Sequence, residues 1–483
     1  MRNKVTSFLV ILLIVLVIFS EMSVLEARKH HGKKGKKHHK EHHHKKKKHP
    51  GEDPGNGSPP TPPPTNDPFP TTSTKNFNLL SFGAVGDGVS DDSEALLAAW
   101  EAACMVNGST IEFPSESKFL IKPVTLKKCN HISLQIDGTI LAPAKVWSGP
   151  TDVMYQWINL KWVQNFTIRG SGTVDGQGCE WWNLASSSHR HLDELDSMKK
   201  SNSRPEAIPT ALRFFESYNV TVRDITIKNS PNCHLKFDKS GGVKVHDLTI
   251  SAPEDSKNTD GIHLQNTQDV EIHHSDIACG DDCVSIQTGC SNVHIHDINC
   301  GPGHGISLGG LGKDGSVACV SNILVEKVSM TDTLYGARIK TWQGGLGAVK
   351  NVTFSNIQVS GVKVPVIIDQ YYCDKHSCQN HTEAVAITGV TFDQITGTYT
   401  SQPLHLACSK SVPCSDVTLS DIDLTPSPGV LSGKIRQPFC WNSFGTSEGP
   451  LVPQGIDYCL KKGSSSLQKI AKSHDKNYCE QAS

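Results

Sequence analysis

The sequence predicts an all-β chain wound as a right-handed parallel β-helix, with a short N-terminal capping helix. Three observations point there. Short β-rich segments recur, among them "NVTVRDITI" from 219, "GVKVHDLTI" from 242, "DVEIHHSDI" from 269, "NVHIHDINC" from 292, "NILVEKVSM" from 322 and "NVTFSNIQV" from 351. Their aligned apolar residues, Val220, Val243, Val270, Val293, Ile323 and Val352, follow one another at 23, 27, 23, 30 and 29 residues. Each repeat has room for about three short strands with turns and no helix, the period of a stacked solenoid. A β-propeller is the alternative, but its repeats approach 40 residues or more and carry blade signatures absent here.

The chain begins with Arg2 and Lys4 and then twelve apolar residues, 8–19. That run is short of the ~20 residues a membrane-spanning helix requires. Residues 1–27 therefore read as a secretory signal peptide cleaved near Ala27, although Leu25 holds the −3 position; the alternative is an uncleaved signal anchor. Residues 28–49 carry eleven Lys/Arg against one Glu, while the whole chain has a net charge of only −1, so the body beyond is acidic. Residues 50–76, with "SPPTPPPTNDPFP", form a polyproline-type spacer. Neither stretch has the apolar content to bury a core, and 28–76 is expected to be disordered. The basic tract is a soluble spacer, a polycation for an anionic matrix, or a metal-capturing histidine run.

Globular composition starts at Phe77. "DDSEALLAAWEAAC" is helical, with Asp91 and Glu94 spaced as a capping box and Leu96, Trp100, Ala103 and Cys104 on one face. This helix is expected to cover the end of the coil. The catalytic β-helix runs over 77–462, followed by a C-terminal tail, 463–483. Sixteen cysteines suit a secreted, disulfide-bonded chain. Cys373–Cys378 and Cys408–Cys414 are expected as short bridges. No CxxC pair matches a second at zinc-ribbon spacing, and no metal site is expected. Sequons stand at Asn56, Asn107, Asn165, Asn219, Asn351 and Asn380.

Stacked turns convert period into proximity. Asn258 and Asp260 lie two apart in "NTDG"; Asp281 follows Asp260 by 21 residues, and His304 follows Asp281 by 23. Arg338 and Lys340, in "RIK", come after a longer loop. The spacing predicts one angular position on four rungs, carrying carboxylates, then imidazole, then cations. Gly280 is expected to permit a bend that lets Asp281 and Asp282 converge. Three clustered carboxylates cannot all ionise near neutral pH, so one pKa should rise. A protonated acid beside ionised carboxylates is what glycosidic hydrolysis requires. Arg338 and Lys340 suit an anionic substrate.

With "NTDGIH", "GDDC", "GPGHG" and "RIKTW" in this order, the chain resembles the polygalacturonases, family 28 of the glycoside hydrolases, over roughly 77–460. "FGAVGDGVSDDSEAL" and "DGQGCEWW" are similar to the opening motifs of the plant members. The resemblance implies inverting hydrolysis of α-1,4-linked galacturonan (pectin) without a cofactor. It implies Asp281 as general acid, Asp260 and Asp282 as activators of water, and His304 as a tuning residue. Asn258, Arg338, Lys340 and Tyr372 would bind galacturonate, Tyr372 in competition with its neighbour Tyr371. It also implies a Cys283–Cys300 disulfide behind the catalytic strip. The expected setting is a secreted, cell-wall monomer, with no nucleic acid or membrane partner after signal cleavage. The basic tract, outside the family pattern, is a candidate binder of anionic wall polymer. Trp181 and Trp182 either stack on sugar or pack inside. Two rival functions stay open: a lyase on the same fold needing calcium, and an idle wall-binding protein.

Overall fold

Apolar residues that return every 23 to 30 positions are buried together only if each repeat lies on the one before. The computed structural model shows that arrangement. It describes residues 75–147, 155–187, 208–374, 378 and 380–480. The chain divides into two units, Met1–Phe69 and Pro70–Ser483, and the described residues belong to the second. The expectations for the signal peptide and for nearly all of 28–76 lie outside them.

Among the described residues, two parallel sheets of 19 and 11 strands wrap one main core. The predicted ladder is in register: Val220 pairs with Val243, Val243 with Val270, Val270 with Val293, Val293 with Ile323 and Ile323 with Val352. It extends to Phe166 at one end and to Val390 and Val417 at the other. All of these side chains are buried. Each contributes about 1.5–3 kcal/mol relative to exposure. Aromatic rings stack in the same manner, with Phe214 and Phe237 centred 5.1 Å apart. The coil is right-handed, as crossovers between parallel strands nearly always are.

The Asn or Asp that opens each repeat has a separate task. Asn165, Asn219, Asp269, Asn292, Asn322 and Asn351 all have φ between 49° and 58°, the left-handed region these residues tolerate best. Their side chains form a ladder along the outside. Asn219 Nδ2 donates to Asn165 Oδ1, Asn292 to Asp269, Asn322 to Asn292 and Asn351 to Asn322, at 2.8–3.2 Å. Gly242 replaces the side chain on one rung; a Cβ there would sit 2.6 Å from Asn219 Oδ1.

The helix forms over Ser93–Cys104 and buries Leu96, Ala99, Trp100 and Ala103. Trp100 packs against Phe166 and donates from Nε1 to the Lys127 carbonyl, closing the first coil. The capping box does not form. Asp92 is the N-cap residue, and its buried carboxylate accepts from Val85 and Gly86 N–H in the preceding loop. Asp91 accepts from Ser93 N–H and pairs with Lys122. Tying down the loop has taken precedence over reciprocal capping.

Residues 463–483, read as a tail, contain a helix, Ser465–His474, and a single turn, Asp475–Cys479. Ala471 packs against Ala348, Ala384, Ala386 and Val412, and Cys479 is bonded to Cys319. Cys283–Cys300, Cys373–Cys378 and Cys408–Cys414 form as expected, beside Cys104–Cys129 and Cys440–Cys459. The even count does not mean full pairing, since Cys179, Cys233, Cys279 and Cys290 stay reduced.

Candidate active site

The smaller sheet carries the site. Its strands Ile262–Gln265, Val284–Ile286, Ile306–Leu311 and Tyr335–Trp342 pair in succession. Asp260, Asp282 and His304 each stand two residues before the first strand residue of their rung, in stacked turns. The cations do not share this position. Arg338 lies in register with Ser307, Ser285 and His263, inside the strands, and Lys340 with Gly309. The single angular column expected from spacing is two adjacent columns. The longer loop before the fourth rung shifts "RIK" from the turn into the strand.

The columns still converge. A cleft of about 530 Å³ is lined by all eight expected residues, Asn258, Asp260, Asp281, Asp282, His304, Arg338, Lys340 and Tyr372. Asp281 and Asp282 diverge within it. Asp281 is half-buried; its Oδ1 lies 3.0 Å from His304 Nδ1, and its Oδ2 accepts from Asn258 Nδ2 at 3.4 Å. Asp282 is 2% exposed and fully engaged. It accepts from Arg338 Nη2 at 2.6 Å, Lys340 Nζ at 3.0 Å and Ser307 Oγ at 2.8 Å. Gly280 is required for space: a Cβ would lie 1.9 Å from the Ser256 carbonyl oxygen. The Cys283–Cys300 bridge begins directly behind Asp282.

Burial and the two cations, more than mutual repulsion, push Asp260 and Asp282 apart in acidity. Burial would raise Asp282, but Lys340 and Arg338 outweigh it and hold the carboxyl at about 2. Asp260 moves the other way. Burial raises it, the Asp281 carboxylate adds to the rise, and a 3.0 Å contact with His263 Nδ1 opposes it in part. Burial also pushes the Tyr372 phenol up to about 12. Tyr372 lies edge-on to Trp342 in the cleft, whereas the Tyr371 hydroxyl donates to the Cys408 carbonyl, so the cleft-lining tyrosine is Tyr372. Trp181 is buried against Trp147, and Trp182 donates from Nε1 to the Pro231 carbonyl.

Sequence reasoning missed His263, Ser307 and Tyr335. His263 lies three residues after Asp260 within "NTDGIH", outward by strand alternation. Ser307 accepts from Arg338 Nε at 2.9 Å and donates to Asp282, joining cation and carboxylate. The Arg338 guanidinium stacks 4.1 Å from the Tyr335 ring centroid. Ser307 and Tyr335 carry no signal beyond alternation phase, whereas His263 ends the "NTDGIH" motif.

The family model "Glycosyl hydrolases family 28" matches residues 104–437. The chain belongs to family 28 of the glycosyl hydrolases. A probable polygalacturonase of Arabidopsis thaliana is 38% identical over 401 residues, covering 81% of this chain and 86% of the relative. A polygalacturonase of Persea americana is 40% identical, covering 74% and 76%. Among solved structures, endo-xylogalacturonan hydrolase from Aspergillus tubingensis superposes with a TM-score of 0.63 at 25% identity, covering 79% of this chain and 98% of that one. Polygalacturonase from Erwinia carotovora has the same fold, with a TM-score of 0.59 at 22% identity, covering 81% and 97%. This family 28 chain is thus a glycoside hydrolase on a right-handed parallel β-helix. Among the described residues no helix is long and apolar enough to cross a membrane.

Proposed function

We propose that this chain hydrolyses α-1,4-galacturonosyl linkages of de-esterified homogalacturonan with inversion of configuration. The carrying observation is the single cleft lined by Asp260, Asp281 and Asp282 together with His304, Arg338 and Lys340. Its relatives named polygalacturonase support the substrate. Asp281 delivers a proton to the leaving glycosidic oxygen. His304, on Asp281 Oδ1 and partly exposed, links that carboxyl to solvent for reprotonation. Asp260 and Asp282 hold the attacking water. Of the two, Asp260 is the proton acceptor, because a raised pKa makes a carboxylate the stronger base. Asp282, kept ionised by two cations, orients the water and fixes the cleft floor.

Arg338 and Lys340 then serve twice. They neutralise Asp282, and their remaining N–H groups attract the galacturonate carboxylate, joined by Asn258 and Tyr372. A lyase on this cleft is less well supported, because the two cations it would need as bases are held by Asp282. We further infer export to the cell wall as a monomer. The Lys/His tract 28–49 retains the enzyme on acidic pectin, more strongly as its histidines protonate below about pH 6.5. Deleting the tract should release the protein from de-esterified pectin at low salt and pH 5; unchanged retention would remove this role.

The functional reading is tested with polygalacturonate, wild type beside Asp281→Asn, following reducing and unsaturated ends with and without chelator. New reducing ends alone, lost in the variant, support hydrolysis. Unsaturated ends would transfer the assignment to a lyase. Binding without turnover would indicate an idle site.

A further inference from the structure

The larger sheet carries a second cluster of titratable groups on strands Gly241–His246, Gln268–Ala278, Ser291–Cys300 and Val317–Thr331. Register places His246, His273, His296 and Glu326 in one column and Lys244, Glu271 and His294 in the column two residues away. Strand alternation turns both columns outward. The rings of His246, His273 and His296 stack at 4.9 and 5.0 Å, and His294 lies 4.4 Å from His296. None of these residues lines the catalytic cleft.

We propose that Glu271, His294 and His296 bind a divalent first-row transition ion of the zinc class. Their ligand atoms lie within 4.8 Å of one another. Tetrahedral zinc, with bonds of about 2.0–2.2 Å to nitrogen and oxygen, brings ligand atoms to roughly 3.3 Å. Closing that gap takes up to about 1.5 Å of movement in partly exposed side chains. Two imidazoles with a carboxylate and no thiolate suit zinc or copper over calcium or magnesium.

The surroundings are those of a ligand set. His296 Nδ1 is 2.7 Å from Asp297 Oδ2, which holds that nitrogen protonated and leaves Nε2 free; Nε2 is 3.9 Å from Glu271 Oε1. A carboxylate behind a ligating imidazole fixes its tautomer and raises its basicity. Glu326 Oε1, 2.9 Å from His294 Nε2, plays the same orienting part for His294, holding that nitrogen protonated and leaving Nδ1 to ligate. Lys244, 3.6 Å from Glu271, is the competing cation that the ion would displace. A second set, His274, His296 and Asp297, shares His296 and would use Asp297 as a ligand instead of an orienting group. Glu271 belongs to the Gln268–Ala278 strand and His294 and His296 to Ser291–Cys300, so one ion would clamp two neighbouring rungs.

The test is zinc chloride titrated calorimetrically into the full secreted, chelator-stripped protein, wild type beside the His294→Ala/His296→Ala double variant. Binding by the Lys/His tract is common to both and cancels. The proposal expects one fewer zinc equivalent in the double variant and loss of a zinc-induced rise in Tm. The single variant Asp297→Asn should weaken that equivalent about 10–100-fold. Cleavage of polygalacturonate without zinc should be unchanged in all three and reports intact folding. Equal stoichiometry and an equal Tm rise in wild type and double variant would overturn the site. If the double variant fails to fold, an unchanged affinity in Asp297→Asn, or anomalous density at the zinc edge away from His294 and His296, would do the same.

Discussion

Arg338 Nη2 and Asp282 Oδ1 stand 2.6 Å apart, both buried, on rungs two turns of the coil apart. Lys340 closes on the other carboxylate oxygen of Asp282 at 3.0 Å. One anion therefore holds two cations in place, and its removal leaves both uncompensated. Asp282→Asn should lower unfolding free energy by about 3–5 kcal/mol, as breaking a buried pair does. Urea unfolding of the variant checks this, and a loss below 1 kcal/mol would show that the cations find other partners.

Asp281 and His304 are held more loosely, and both are partly exposed. Asp281→Asn and His304→Ala should each lower kcat on polygalacturonate by about 10²–10⁴-fold, the range for a lost acid–base group. Thermal unfolding should barely change, because neither side chain supports the core. A large fall in Tm with intact kcat would reverse this division between catalytic and structural carboxylates.

Fully buried His234 ties the back of the site. Its Nδ1 donates to the Asp260 carbonyl at 3.0 Å, and its Nε2 accepts from Ser230 N–H at 3.4 Å, so the ring is neutral. Burial lowers its pKa from 6.5 to about 4. The unfolded chain then takes up a proton that the folded chain refuses, so stability falls as pH drops from about 6.5 towards 4, by about 3 kcal/mol. His234→Asn retains a donor and cannot titrate. Its stability should fall less steeply across that window, as denaturant midpoints at pH 7, 5.5 and 4 will show.

Cys319–Cys479 spans 160 residues and anchors the C-terminal helix to the long strands, beside the Lys350–Asp475 ion pair. Replacing both cysteines with serine should cost about 2–4 kcal/mol and lower Tm. Hydrogen exchange should rise first in Ser465–His474. An unchanged exchange rate there would mean that packing around Ala471 holds the helix without the bond.

Much of this molecule was legible in the sequence. Val220 to Val352 named the core ladder before any coordinates, because a residue buried once per turn must be apolar once per turn. Asp260, Asp281 and His304 were legible for a related reason, since stacking brings equal phases of the repeat together, whereas Arg338 and Lys340 reach the cleft from another phase and Tyr372 was legible only through the family resemblance. The sequence by itself thus determined the coil, its core and the membership of the site. It did not determine how the charges are shared. Whether Arg338 and Lys340 wait for substrate or hold Asp282 depends on a shift of three to five residues along one strand, and loop length sets that shift. Period alone does not encode it. Gly280 was likewise visible as a glycine, but the Ser256 carbonyl that forbids a side chain lies on another rung. The fold also decided the C-terminal segment, held by Ala348, Ala386 and Cys319 on strands 85 to 160 residues before their partners Ala471 and Cys479. Contacts between distant rungs are properties of the stacked coil, and a local reading of residues has no term for them.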